Sequence, residues 1–336
     1  MTEAELTELA TRAVLRLGAS AGDAADVARI LVMGDLFGHH THGVSRLESY
    51  GARALSGALD ARATVRVERI SPAVARVDGA NAFGPVVGTR ALEEAMEGAR
   101  ACGIGAAFAR NSNHFGAIGP YCQLAADAGF ASIIGSNSST TIAPTGGSEA
   151  RVGNSPLGIG VPNPAGPPVI LDMAMSVVAR GKIREAMKRG KPIPETWATD
   201  RDGRPTSDPK AALDGFLLPI GGYKGYGLAL AVDLFAGLLS GGAFLDQVNS
   251  WVDSPEAPGN LGHFFILLDT RVLGSPEWLA QRMTEFARIL HDTPPSDPSR
   301  PVLLPGEIER GNLERHRREG LAMDPEVVAK LRALAG

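Results

Sequence analysis

Apolar positions in the first sixty residues recur at helical spacing. Thr2 followed by Glu5 has the spacing of a capping box, and Ser20 with Asp23 offers a second helix start. In that second helix Val27, Ile30, Leu31 and Gly34 share a face, leaving Asp23, Asp26 and Arg29 for water. A third helix is expected from Val44 or Ser45 to near Gly57. From about Thr64 the period changes. Val65 and Val67, then Val74 to Val77, predict two short strands about a Ser71-Pro72 turn. A helix carrying Leu92, Ala95, Met96 and Ala99 on one face follows. Next come a strand from Ile104 to Ala109, a helix from Ile118 to Ala128 and a strand from Ala131 to Ile134. Pro168 to Leu171 predicts a further strand, and Val177 to Met187 a helix. After about residue 274 the chain turns helical again. Ser275-Pro276 is the start signal, with Leu279, Met283, Phe286 and Leu290 on one face. A Pro-rich loop then separates this helix from two closing ones, the last opened by Asp324-Pro325.

Strands mixed with helices predict an α/β fold, with antiparallel parts because several connections are short. The expected division is a helical domain from both termini, residues 1–63 with 274–336, around an α/β domain of residues 64–273 that binds cofactor and substrate. The longest apolar stretch, Tyr226 to Leu245, carries Asp233 and Gly237, Gly241 and Gly242. It therefore predicts a buried helix of a soluble protein rather than a membrane span. A hydrophobic fraction of 44% suffices for a large core, and a net charge of −4 lacks the basic balance of a nucleic-acid binder. Two cysteines, Cys102 and Cys122, and an acidic start without a signal-peptide pattern point to the reducing cytoplasm.

Forty-one glycines invite a nucleotide reading, yet no segment matches G-x-G-x-x-G and no Walker A sequence is present. An ordinary Rossmann domain with the strand order 3-2-1-4-5-6 is not expected. Three histidines, His39, His40 and His42, leave three readings open: a metal site, rings meeting the dipole at a helix end, or a proton carrier. On a helix His40 points away from the other two, which argues against the metal. Arg46, four residues after His42, tips the balance to a proton carrier beside a carboxylate clamp. Asn111 to Gly116 follows one predicted strand, Ser136 to Thr141 the next, and Asp172 a third. Such strand ends are where α/β sheets gather ligands. Lys224, in Gly221-Gly222-Tyr223-Lys224-Gly225, is a lone base suited to a phosphate or carboxamide.

Ordered segments then carry a resemblance to a known family. They are His42-Gly43-Val44-Ser45-Arg46-Leu47, Asn113-His114-Phe115-Gly116, Gly153-Asn154-Ser155-Pro156-Leu157, and Leu171-Asp172-Met173-Ala174. Ala179-Arg180-Gly181-Lys182-Ile183, Gly222-Tyr223-Lys224-Gly225-Tyr226-Gly227 and Pro305-Gly306-Glu307 complete the set. Together they resemble the type 2 malate/L-lactate dehydrogenases, a group that includes sulfolactate, ureidoglycolate and diketogulonate oxidoreductases and cyclic-imine reductases. The resemblance implies a non-Rossmann mixed-sheet NAD(P)-binding domain and a homodimer with cofactor near the subunit interface. It puts His42 at the catalytic position, Arg46 at the substrate carboxylate, and Asn154, Arg180 and Gly181 beside the substrate. His114, Phe115, Gly116, Ala117 and Ile118 would line the cofactor, as would Ser136, Ser138, Asp172, Met173, Ala174, Lys224, Gly225, Pro305, Gly306 and Glu307. Thr41 stands where the family usually has serine, and keeps the hydroxyl. Lys182 stands where some imine-reducing relatives have an acid, which disfavours that chemistry.

The expected activity is hydride transfer between NAD or NADP, with NAD favoured, and a small 2-hydroxy or 2-oxo acid. Histidine suits the hydroxyl proton because its ordinary pKa lies near the working pH. Arginine suits the carboxylate through a bidentate fork. On sequence, His42 takes the proton, with Thr41 as relay and His114 as the rival. Reduction of a cyclic imine or diketo sugar acid is the alternative, followed by a cofactor-binding relative without turnover. No metal, nucleic acid or membrane is expected as a partner.

Overall fold

A computed structural model describes residues 1–251 and 254–336. Local chemistry sets the first helices where the pattern puts them. In α1 (Glu3–Arg16) Thr2 and Glu5 close a capping box, and in α2 (Ala21–Leu36) the Ser20 hydroxyl accepts the Asp23 amide. A single 3₁₀ turn, His40–His42, leads to α3 (Arg46–Ser56), which stops at Gly57 in the left-handed region.

A hairpin of β1 (Arg66–Ser71) and β2 (Val74–Asp78) precedes α4 (Gly84–Cys102), β3 (Ile104–Ser112), α5 (Gly119–Asp127) and β4 (Phe130–Ser136). Short strands β5 (Thr140–Ile142) and β6 (Val152–Gly153) pair with each other. β7 (Leu157–Val161), β8 (Val169–Met173), α6 (Arg180–Lys188), α7 (Pro209–Asp214) and α8 (Tyr223–Asp233) follow. The chain closes with β9 (Leu261–Asp269), α9 (Pro276–His291), α10 (Glu307–Glu319) and α11 (Pro325–Ala335). The large sheet has the order β1-β2-β3-β9-β4-β7-β8, and only β2 and β3 run parallel. It is a mixed sheet, not a doubly wound one, as the missing glycine fingerprint predicts.

Small residues let helix and sheet approach. A Cβ on Gly105 of β3 would collide with the backbone of Ala95 and Ala99, so α4 lies directly on β3. Behind them Val87, Leu92, Phe130 and Phe265 fill one face of the sheet, and Ile183, Leu217, Val232 and Phe264 the other. A separate apolar cluster joins both chain ends: Leu6, Val14, Leu31 and Leu47 from α1–α3 meet Leu313 of α10 and Leu331 of α11.

Two expectations need correction. Helix α9 starts at Ser275-Pro276 as the pattern predicts, yet none of its residues is buried and none enters the cluster of the termini. Its apolar face, with Trp278, Phe286 and Ile289, stays open. The stretch from Tyr226 to Leu245 is also not one buried helix. It leaves α8 through a π turn at Leu234–Leu238, and one side, with Ala229, Val232, Asp233, Ala236, Gly237, Ser240 and Ala243, is buried. Leu228, Leu234, Phe235, Leu238 and Leu239 are each 39–54% exposed, because nothing among the described residues covers that side. Hydrophobicity alone does not say which face meets its own chain. Among the described residues, no helix is long and apolar enough to cross a membrane.

Candidate active site

The turn that presents His42 is built on Asp35, a fully buried carboxylate at the end of α2. One oxygen accepts the Val44 amide at 2.7 Å and the other lies 3.0 Å from His40 Nδ1. Gly43 is required there, since a Cβ would run into the Asp35 carboxylate. His40 is thereby turned to Asp35, and the half-buried His42 faces a cavity instead. The described residues contain no group of three His, Cys, Asp or Glu placed to hold a metal ion.

The cavity encloses about 290 Å³ between the turn and the ends of three strands. From the end of β3 come His114, Phe115, Gly116, Ala117 and Ile118. The end of β4 supplies Ser136, Asn137 and Ser138, and β8 supplies Asp172 and, just beyond it, Ala174. Gly116 makes the bend at φ +88° with Ile30 packed against its back, a backbone that favours glycine. Asn113 is structural: its amide donates to the Asn81 and Ala82 carbonyls, and Arg53 donates to its Oδ1 at 3.3 Å.

Asn154 also lines the cavity. Its Oδ1 accepts the Ser176 amide at 2.7 Å, which leaves its NH₂ as the group a ligand can meet. Arg46 reaches the same region from the first turn of α3. Its Nε donates to the Thr41 carbonyl, its guanidinium lies 4.9 Å over the Trp251 ring, and its terminal nitrogens make no hydrogen bond among the described residues. Thr41 places its hydroxyl 3.0 Å from His42 Nδ1.

Other expected residues lie off this cavity. Met173 turns to the opposite face of β8 and packs with the α6–α8 cluster. Arg180 donates to the Leu213 and Gly215 carbonyls from α6, and Gly181 is exposed. Lys224 and Gly225 begin α8, where Lys224 is exposed. Gly306 lines a neighbouring cavity that shares His39 and Asp172 with the first. Pro305 accepts the Ile170 amide, and Glu307 accepts the Leu304 amide and pairs with His291.

Sequence reasoning missed Tyr50, His263 and Trp251. The buried Tyr50 hydroxyl lies 2.8 Å from His114 Nδ1 and 2.8 Å from the His114 carbonyl oxygen. His263 is buried between the Ser112 and Ser136 hydroxyls, 2.8 Å from each, and stacks on Phe115. Trp251 stacks on His114 with ring centres 4.9 Å apart. Nothing in the sequence pattern singled these out, since a tyrosine on an apolar helix face reads as core and His263 lies in a strand buried on both faces.

Burial makes His42 and His114 poor proton holders. His42 is pushed down to about 4 by loss of water, with Arg46 and His39 adding to it. His114 is held well below its ordinary value by burial, then by Arg46 and His42. Burial pushes the Asp172 carboxyl up, although the Gly119 amide at 2.7 Å pulls the other way. His42 and His114 are therefore neutral rings beside the Arg46 cation.

A nicotinamide group fits this arrangement: apolar Phe115, Ala117, Ile118 and Leu261 provide a surface for its ring, and strand-end amides and hydroxyls surround it. His39 Nε2, buried at the wall, has no hydrogen-bond partner among the described residues and awaits one.

Fold and site together define a dehydrogenase that does without the Rossmann fingerprint. A family model described as malate/L-lactate dehydrogenase matches residues 1–332, and the chain belongs to that family. The L-sulfolactate dehydrogenase of Methanothermobacter thermautotrophicus is 35% identical over 92% of this chain and 88% of its own. The malate dehydrogenase of Pyrococcus abyssi is 35% identical over 98% and 92%. Among solved structures, malate dehydrogenase from Entamoeba histolytica superposes with a TM-score of 0.93 at 28% identity, covering 100% of this chain and 96% of that one. The names of other relatives specify NAD(+) in one case and NADP(+) in another.

Proposed function

We propose that the protein moves hydride between NAD(P) and a small 2-hydroxy or 2-oxo acid of the malate, lactate or sulfolactate kind. The observation that carries this is the meeting of His42 and His114 at one cavity with an apolar ring-binding wall, and Arg46 lies beside them over the Trp251 ring that stacks on His114. When bound, the nicotinamide supplies or accepts the hydride. The chain does the rest. The terminal nitrogens of Arg46 hold the substrate carboxylate as a fork, and the Asn154 amide donates to it or to the neighbouring oxygen. With the carboxylate fixed, the 2-oxygen comes within reach of the two histidines.

We assign the proton to His114 rather than to His42, which the sequence pattern favours. A base held by a third group is the recurrent catalytic arrangement, and His114 has Tyr50 and Trp251 to hold it. Among the described residues His42 has only the exposed Thr41 hydroxyl as a hydrogen-bond partner at its ring. It then serves the substrate oxygen as a neighbour and keeps the Arg46 turn in place. Asp172, Ser136, Ser138 and the His114–Ile118 segment receive the cofactor. Met173, Lys224, Gly225 and Pro305–Glu307 join them around its outer parts, with Arg180 and Gly181 bordering the substrate.

The two expected domains, 1–63 with 274–336 and 64–273, belong to the same reading, with α9 outside the cluster that joins the termini, and so does a homodimer. The open leucine face of α8 and its π turn is the surface a second copy would cover. Light scattering is expected to give twice the 35.0 kDa chain mass, and Leu238→Asp to shift it towards one. The free thiols of Cys102 and Cys122 support a cytoplasmic location as part of this reading.

The deciding test is NADH and NADPH absorbance with pyruvate, oxaloacetate, sulfopyruvate and a cyclic imine acid. Oxidation with a 2-oxo acid is expected. Preference for the imine would favour the alternative chemistry, which Lys182 argues against, and silence with every acid would leave an inert binder.

A further inference from the structure

Tyr50 reaches His114 from the buried face of α3. Its hydroxyl lies 2.8 Å from His114 Nδ1 and 2.8 Å from the His114 carbonyl oxygen, both at hydrogen-bond distance. A phenol has one proton and the carbonyl can only accept. The proton therefore goes to the carbonyl. The contact with Nδ1 is then a hydrogen bond only if Nδ1 carries a proton of its own and donates it to the phenol oxygen. The reverse arrangement, with Tyr50 donating to Nδ1, sets two oxygen lone pairs against each other at 2.8 Å. The Gly116 amide, 3.4 Å from Nδ1, favours that reverse arrangement. It stands at the edge of bonding range, and two short contacts outweigh it.

We infer that Tyr50 is a positioning residue that fixes neutral His114 in its Nδ1–H tautomer, so that the lone pair on Nε2 is the one offered to the substrate. This rests on the assignment of the proton to His114. Nε2 lies across the ring from Tyr50 and makes no hydrogen bond among the described residues. Phe83 and Trp251 hold the assembly from two sides, with ring centres 6.0 Å from Tyr50 and 4.9 Å from His114. Burial and Arg46 keep the imidazole neutral before the reaction.

The consequence for chemistry balances simply. In oxidation the C2–H bond breaks and its electron pair leaves as hydride to the nicotinamide dinucleotide. The substrate O–H proton passes to Nε2, and the C2–O bond becomes a carbonyl. His114 then carries protons on both nitrogens, and the Nδ1–H bond to Tyr50 steadies the new charge. Reduction runs the same transfers backwards. With the other tautomer, Nε2 would already hold a proton and could not accept the substrate's.

The test starts with the unaltered protein. Two-bond ¹H–¹⁵N spectra at neutral pH are expected to show a protonated Nδ1 and an unprotonated Nε2 for His114. Tyr50→Phe keeps the ring and removes the hydroxyl. Its His114 signals should move towards the Nε2–H form, because only the Gly116 amide then addresses Nδ1. Its kcat should fall by roughly 10–100-fold, the usual cost of losing an orienting partner, with KM for the acid and the Kd for NADH unchanged. A wild-type His114 protonated on Nε2, or a Tyr50→Phe protein with unaltered tautomer, overturns the inference without any reference to activity. A wild-type kcat in His114→Gln instead overturns the proton assignment, and with it the part of Tyr50 in catalysis.

Discussion

The rings of His42 and His114 lie 5.4 Å apart, tilted by 32°, at the mouth of one cavity. Besides burial, Arg46 lowers the proton affinity of both, and His42 that of His114, so a proton on one opposes a proton on the second. The pair therefore works with one proton at a time. On the proposed assignment, His114→Gln lowers kcat by roughly 10²–10⁴ and removes the histidine limb from the pH–rate profile, with NADH binding retained. His42→Asn should raise KM for the acid and leave that limb in place. Paired pH–rate profiles with NADH titrations decide it. A limb that vanishes in His42→Asn and survives in His114→Gln gives the proton to His42.

The Arg46 guanidinium lies over the Trp251 ring and its Nε is held by the Thr41 carbonyl, so its terminal nitrogens are left as a fork. Arg46→Lys keeps the charge and loses the plane, the stacking and one of two donors. The expected loss is about 2–4 kcal/mol in kcat/KM for the 2-oxo acid, judged from charge-assisted hydrogen bonds. Cofactor affinity should stay as it is. Equal losses in NADH binding and turnover would place Arg46 on the cofactor.

Stability should fall in mild acid, and the sign comes from the buried histidines. His263 is pushed down to about 3 and His42 to about 4, from an ordinary 6.5 in the unfolded chain. Below pH 6.5 the unfolded chain takes up protons that the folded one refuses, so their contribution is complete above 6.5 and lost as pH falls towards 3–4. His42 is half-exposed and counts for less than His263. Thermal midpoints are expected to drop between pH 6.5 and 4. His263→Gln should start lower at pH 7, because Ser112 and Ser136 lose a partner, and then decline less steeply. An equally steep decline in the variant would remove His263 from the account.

Capped helices were legible because cap chemistry is local: Thr2 with Glu5, Ser20 with Asp23 and Ser275 each act within one turn. The central strand β9 was not. Leu261–Asp269 is buried on both faces between β3 and β4, so it lacks the alternation that marks a half-buried strand. The His42–Arg46 and Asn113–Gly116 segments stood out as unusual polar runs, and the structure brings them to one cavity. Tyr50 did not, because a tyrosine on the apolar face of a helix reads as core, and its partner His114 stands 64 residues away. The open side of α8 was illegible for another reason: hydrophobic period reports burial without saying whether the chain or a second copy supplies it.

Gly84 links the fold to the chemistry most directly, and it carries the last prediction. It opens α4 directly beneath the Asn113–His114 backbone. A Cβ there would fall inside the van der Waals radii of both the Asn113 and His114 carbonyl oxygens, backbone atoms with no rotamer to escape into. The same His114 carbonyl accepts the Tyr50 proton, so pushing it away also breaks the bond that orients the imidazole. Gly84→Ala is therefore expected to cost about 1–3 kcal/mol in urea unfolding, the usual range for overpacking. Its kcat should fall further than that stability loss requires at a temperature where the variant is fully folded. Gly129→Ala is the control: its added Cβ meets nothing within 4 Å, but the φ of +86° strains it, so it should lose stability with kcat unchanged. If Gly84→Ala loses stability and keeps kcat as Gly129→Ala does, the loop position of His114 is not what sets the rate.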